Sequence, residues 1–187
     1  MDVDYKKLLS AIQEEQLKTI VSAAAFKSKS GTETLGTKRR GLYWLWTSWT
    51  NEQLETVIHD TTKVRHVPIA KLVNSRKGLQ CICKQTHNKY RLVYNGIGGY
   101  RTATKAFGLR ERILQEITCN DGRTGTLNIS HSCEDLDDWA VSFFDFDTPA
   151  NKKILSVLNS KQTYIDHATV LENLWRLEYG TPILCRH

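Results

Sequence analysis

Between Thr61 and Arg110 the chain has no aspartate and no glutamate. The same stretch carries eleven cations: Lys63, Arg65, Lys71, Arg76, Lys77, Lys84, Lys89, Arg91, Arg101, Lys105 and Arg110. A segment so one-sided cannot neutralise itself, which argues for a polyanionic partner. No window approaches the apolar length needed to span a bilayer. The N-terminus lacks the apolar core of a secretion signal. The five cysteines, Cys81, Cys83, Cys119, Cys133 and Cys185, are an odd number in a chain without such a signal. That excludes a small disulfide-stapled fold and predicts reduced thiols in a cytoplasmic, non-membrane protein.

What remains is an ordinary globular composition over 187 residues, expected to form one domain spanning 1–187. The net charge is +6. A second basic cluster, Lys38-Arg39-Arg40, precedes Gly41, whereas the stretch from Glu134 to Asp147 is acidic and has no lysine or arginine. Five tryptophans and seven tyrosines offer faces on which bases could stack. Charge and aromatics together point to nucleic acid.

Residues 2–26 read as an amphipathic helical arm, with a stripe that slips phase between Ile12 and Leu17. Residues 27–40 read as a polar, basic linker. Gly41 to Thr47, GLYWLWT, is predicted to be a strand. Thr50-Asn51-Glu52-Gln53 reads as a capping box, starting a helix whose apolar face uses Leu54, Val57 and Ile58. Leu79–Gln85 and Tyr90–Ile97 read as two strands joined at His87-Asn88-Lys89. A helix is predicted from about Phe107 to Ile117, a turn at Asn120-Asp121-Gly122, and a short strand over Thr126–Ser130. Trp139 to Phe146, WAVSFFDF, reads as a further strand, and 150–159 as a weak helix. A last helix over Asp166–Tyr179 has Asp166 as N-cap, apolar contacts from Val170, Leu171, Leu174, Trp175 and Leu177, and a stop at Gly180 and Pro182. The order predicts an α/β (α+β) domain: a small mixed or antiparallel sheet flanked by helices.

The stretch Arg91–Ile113, RLVYNGIGGYRTATKAFGLRERI, combines a strand, a glycine-rich turn and a helix bearing arginine. Glycine permits close backbone approach and guanidinium matches phosphate, so this is a candidate phosphate site. Five features, taken in order, resemble the GIY-YIG nuclease superfamily. Gly41-Leu42-Tyr43 matches its first half-motif and Tyr94-Asn95-Gly96 its second. Leu109, Arg112 and Ile113 match its Leu-x-x-Arg-Ile helix. Glu172 stands where a later helix carries a glutamate, and Gly180 with Pro182 follows as the family's Gly-x-Pro bend. The closing LENLWRLEYGTPILC is most similar to the GIY-YIG restriction endonucleases. Residues 51–90 then form a long insertion between the half-motifs, and the stretched interval after Tyr94 leaves Arg110 as a rival to Arg112. Asn95 replaces an aliphatic residue, Ile97 stands in place of a lysine, and Cys185 lies near the position of an asparagine.

The resemblance implies a divalent-metal-dependent hydrolase that cuts double-stranded DNA, as a monomer or homodimer. It implies Tyr43, Tyr94, Arg112 and Glu172 as catalytic residues. Tyr43 would help deprotonate water, with Tyr94 nearby, and adjacent cations would lower its pKa. Arg112 would hold a phosphate oxygen, and Glu172 would hold Mg²⁺ or Mn²⁺. Lys38, Arg39, Arg40, Arg76, Lys77, Arg101, Lys105 and Arg110 are the residues expected to contact DNA, with the insertion contributing to site choice. The alternative is a non-catalytic basic nucleic-acid-binding module. Two weaker alternatives are a zinc site, from Cys81, Cys83 and His87 or from Cys119, His131 and Cys133, and a cation site on Asp145 and Asp147.

Overall fold

The computed structural model describes residues 3–28, 35–60, 62, 66–99, 107–119, 125–158 and 164–186. The turn expected at 120–122 and the basic residues Arg101 and Lys105 lie outside them. Among the described residues are five strands: β1 (Val21–Ser22), β2 (Gly41–Thr47), β3 (Thr86–His87), β4 (Tyr90–Gly98) and β5 (Trp139–Asp145). Also among the described residues are eight α-helices: α1 (Tyr5–Leu17), α2 (Ala23–Lys27), α3 (Asn51–Glu55), α4 (Ile69–Arg76), α5 (Leu109–Thr118), α6 (Ile129–Ser132), α7 (Pro149–Leu155) and α8 (Tyr164–Tyr179). The α+β class expected from the sequence is what is found. The sheet runs β1-β5-β2-β4-β3 and is antiparallel at every pairing. No helix among the described residues is long and apolar enough to cross a membrane.

Helices cover both faces of the sheet. On one face Tyr43, Leu45, Val93 and Val141 pack against Phe26 of α2 and Leu109, Ile113 and Ile117 of α5. On the other, Leu42, Trp44, Trp46 and Phe144 pack against Leu8, Leu9 and Ile12 of α1 and Leu171 and Trp175 of α8. This double cover explains why β2 and β5 read as continuous apolar runs: all seven residues of each strand are buried. An alternating pattern belongs to sheets with one wet face.

Several sequence expectations change. The N-terminal amphipathic helix docks on the core, where α1 forms a layer, but the helix expected over 2–26 is broken. Thr19 is the reason for the break. Its hydroxyl donates to Phe143 O at 2.9 Å and accepts from Phe143 N at 2.8 Å, so the next residues enter the sheet as β1. The Thr50–Gln53 capping box is present, but α3 stops at Glu55, which leaves Ile58 80% exposed, off any apolar face. Leu79–Gln85 is not a strand: only Ile82 bridges, to Thr181. Thr126 bridges to His66, and the strand expected through Ser130 gives way to α6. Because α8 begins at Tyr164, Asp166 lies inside the helix rather than capping it. Val170 and Leu177 face outward from α8.

The outer side of β4 is the feature that positions the cleft. β3 pairs with it only at Tyr90 and Arg91. Beyond that point the edge is met by the C-terminal segment 180–186. Leu184 N donates to Val93 O at 2.9 Å, and Asn95 N donates to the Cys185 sulfur at 3.4 Å. Edge groups left open would recruit other strands, and this strap satisfies them. Arg76 clamps the strap from outside, donating to Ile183 O at 3.2 Å, to Arg186 O at 3.3 Å and to Cys185 O. Gly180 begins the strap at φ +93°, where a Cβ would come within 2.8 Å of the Cys83 backbone. The insertion that the sequence reading assigned to DNA therefore supplies, through Arg76 and Cys83, the anchor of the C-terminus.

Candidate active site

A cleft of about 430 Å³ opens where β4 meets the strap. Its wall includes Tyr43, Tyr94, Gly96, Arg112, Gly125, Glu172, Arg176, Cys185 and Arg186. The four residues assigned to catalysis from the sequence, Tyr43, Tyr94, Arg112 and Glu172, thus line one cavity. They come from both sides of the sheet. Tyr43 and Tyr94 stand on the α5 face, and Glu172 comes from α8 on the other face, so the two sets meet around the edge of β4.

Gly96 stands opposite Tyr43 in the ladder. A Cβ there would sit 2.4 Å from the Tyr43 hydroxyl, so glycine is what lets the phenol lie across β4. The Tyr43 and Tyr94 rings are 6.1 Å apart. On α5, Arg112 rather than Arg110 reaches the cleft. Its guanidinium donates to Gly125 O and pairs with Glu116, each at 2.7 Å. Glu116, one helical turn beyond Arg112, has no exposed surface. Its Oε1 also accepts from the Tyr43 hydroxyl at 2.8 Å, and its Oε2 accepts from Leu127 N at 2.8 Å.

The electrostatics correct one expectation. Burial raises the Tyr43 pKa well above that of a free phenol; the nearby Arg112 opposes the rise, but Glu116 and Tyr94 add to it. Tyr94 is raised for the same reasons, burial first and then Glu116. Cations were expected to lower Tyr43, but Arg112 is already answered by Glu116, and desolvation wins. Both tyrosines are neutral hydroxyls near pH 7. Burial also works against the Arg112 charge, but Tyr43, Glu116 and Tyr94 outweigh it and hold the guanidinium firmly protonated.

On the far wall Glu172 accepts from Arg176 at 2.7 Å, one turn further along α8. Arg176 also donates to Asn95 Oδ1 at 2.9 Å, and the Cys185 thiol donates to the same oxygen at 3.2 Å. Asn95 and Cys185, two departures from the family pattern, therefore touch each other and steady Arg176. Burial raises the Glu172 pKa, and Arg176 partly offsets this. Glu172 is the one carboxylate among the described residues lining the cleft. That fits Mg²⁺, which takes one or two carboxylates and completes its octahedron with water and phosphate.

The basic residues expected on DNA divide into groups. Lys38 is exposed, with φ +58°. Arg39 lies 3.7 Å from Asp145, and Arg40 pairs with Asp147. These pairs give Asp145 and Asp147 arginine partners. Lys77 pairs with Glu55 at 2.7 Å, while Arg76 serves the strap. Arg110 is partly buried and does not line the cleft. Among the described residues no three His, Cys, Asp or Glu side chains converge to hold a metal, so neither cysteine–histidine zinc set assembles.

Sequence reasoning missed Glu116, Arg176 and Arg186. The first signal was available, since Glu116 is four residues after Arg112 and must share its helix face. No family model matches this chain, nor does any characterised protein or solved structure.

Proposed function

We propose that the protein is a GIY-YIG-type endonuclease of the restriction kind, which hydrolyses phosphodiester bonds in double-stranded DNA with a divalent metal. One observation carries the reading. Four side chains named from a linear pattern, at positions 43, 94, 112 and 172, line the same cleft. Three guanidinium groups, Arg112, Arg176 and Arg186, stand around it, as an anionic substrate requires.

The residues divide the work as follows. Arg112, locked in its charged form and held by Gly125 O and Glu116, would set its positive charge beside a non-bridging phosphate oxygen. Tyr43 donates its hydrogen to Glu116, which leaves its oxygen lone pairs to accept a hydrogen bond from the attacking water. Tyr94 lies beside it and narrows the positions that water can take. Glu172 would hold Mg²⁺, which when bound would offset charge on the phosphate and the leaving oxygen. Arg176 keeps the Glu172 carboxylate oriented in the absence of substrate.

Incubation of plasmid DNA with the protein, with and without Mg²⁺ or Mn²⁺, tests the activity. Metal-dependent linear or nicked product is the expected result. Tyr43→Phe keeps the ring packing and is expected to reduce cleavage by about 10²-fold or more, the usual worth of a proton-handling group. Its DNA binding, measured by gel shift in Ca²⁺, should stay near wild type. A gel shift with no cut product in either metal would identify a binding module instead.

A further inference from the structure

We infer that Glu116 is a positioning residue of the cleavage step, which receives the Tyr43 phenol proton as Tyr43 takes the proton of the attacking water. The inference rests on the nuclease reading above. Its evidence is the geometry of a carboxylate with no exposed surface, bonded by three donors, from β2, α5 and the segment at Leu127. Oε1 is shared between the Tyr43 hydroxyl at 2.8 Å and Arg112 at 2.7 Å. Oε2 is fixed by Leu127 N at 2.8 Å.

Leu127 is itself held from behind. Its carbonyl accepts from His66 Nε2 at 3.0 Å, and His66 Nδ1 accepts from Asp60 N at 2.8 Å. Those two partners require the neutral Nε2–H tautomer of His66. Thr126 adds a hydroxyl bond to Gln115 O at 2.6 Å. A counter-ion for Arg112 alone would need neither the tyrosine contact nor this second row of support.

The chemistry favours a relay over an isolated tyrosinate. If Tyr43 ionised while Glu116 stayed charged, two negative groups would share a 2.8 Å contact in a buried site. Passing the proton on means that Tyr43 and Glu116 never carry more than one negative charge between them. As the water oxygen bonds to phosphorus, its proton moves to Tyr43 Oη and the phenolic proton moves to Glu116 Oε1. The bond from phosphorus to the leaving sugar oxygen breaks, and that oxygen takes a proton from solvent water. The hydroxide so formed is neutralised when Glu116 returns its proton through Tyr43, so one water is consumed and no net charge is created. Arg112 then has a second duty, holding Glu116 oriented toward Tyr43 between turnovers.

The experiment compares wild type, Glu116→Gln, Tyr43→Phe and the double variant. Single-turnover cleavage is measured in Mg²⁺, alongside thermal unfolding and gel shift in Ca²⁺. Glu116→Gln is expected to bind DNA within about threefold of wild type and to cleave about 10²-fold more slowly. The double variant should be no slower than the slower single, because both changes break one relay. A structural role would instead lower stability and multiply with Tyr43→Phe. Should Glu116→Gln fail to fold, the wild-type rate in H₂O–D₂O mixtures decides. Two protons in flight give a curved dependence on deuterium fraction, and a straight line overturns the relay. Wild-type cleavage with undiminished cleavage by Glu116→Gln overturns this inference alone. A wild-type protein that cuts no DNA in Mg²⁺ or Mn²⁺ overturns the nuclease reading and this inference with it.

Discussion

Arg76→Met separates what the basic insertion looks like from what it does. From sequence, Arg76 sits in an acid-free cationic stretch and should meet DNA. In the fold its guanidinium donates to three carbonyls of the C-terminal strap. A hydrogen bond from a charged donor contributes about 1.5–3 kcal/mol net when buried. Arg76 is only partly buried, and the released carbonyls can bind water. We therefore discount the three bonds together to about 2–3 kcal/mol of local stability. We assign the loss to a local opening of the strap ahead of the sheet. At 1.4 kcal/mol per decade this is about a 30- to 150-fold faster exchange of the Leu184 amide, whose partner is Val93 O. Hydrogen exchange read on peptides covering 180–186 measures it, with peptides from β2 as the unaffected control. Cleavage should fall too, because Cys185 and Arg186 line the cleft. The salt dependence of DNA binding should stay unchanged. Unaltered exchange at Leu184, together with a salt slope reduced by about one, would place Arg76 on DNA and refute the clamp.

Two further outcomes test other parts of the argument. Gly180→Ala forces a β-carbon into a positive-φ site against the Cys83 backbone and should cost about 1–3 kcal/mol, or roughly 3–10 °C in Tm. Gly36→Ala, whose added carbon meets only the flexible Arg39 side chain, is the control, and equal melting of both variants would refute the strap geometry. Glu172 has a raised folded-state pKa from burial, with Arg176 opposing, so its protonated form is the one that folding favours. Its ionised form costs stability above that folded pKa, and the cost fades as pH falls through it. Mn²⁺ affinity, followed by paramagnetic resonance, should accordingly begin to fall at a higher pH than for an exposed carboxylate. The stability difference between Glu172→Gln and wild type should shrink over the same descent, and a pH-independent Mn²⁺ affinity between pH 4 and 7 would contradict the burial argument.

The parts of the fold legible in the sequence were those whose signals are local. The Thr50–Gln53 capping box formed because its two side chains reach only three residues. GLYWLWT and WAVSFFDF announced strands because both faces of β2 and β5 are covered, so no polar residue interrupts the run. Arg112 and Glu172 were named from a linear pattern, and the folded chain brings them to the same cleft as Tyr43 and Tyr94. Local signals misled where a distant partner decides. Leu79–Gln85 has strand-like composition but finds only Thr181 to bridge. Residues 2–26 carry a helical stripe, yet Thr19 bonds a backbone 124 residues away and breaks it.

By itself the sequence determined an α+β domain, its two central strands, the arginine-bearing helix and a net positive charge. Only the tertiary structure decided which charges are free to act. Arg39 and Arg40 read as an unopposed basic cluster, and the fold sets Asp145, at the end of β5, and Asp147, just beyond it, beside them. Glu116, passed over in LRERILQEIT, gains its role only when β2 delivers the Tyr43 hydroxyl to it. Helix propensity and hydrophobic periodicity act over a few residues and can be read along the chain. The state of a charge depends on desolvation and on its nearest opposite charge, and both are set by segments that meet only after folding.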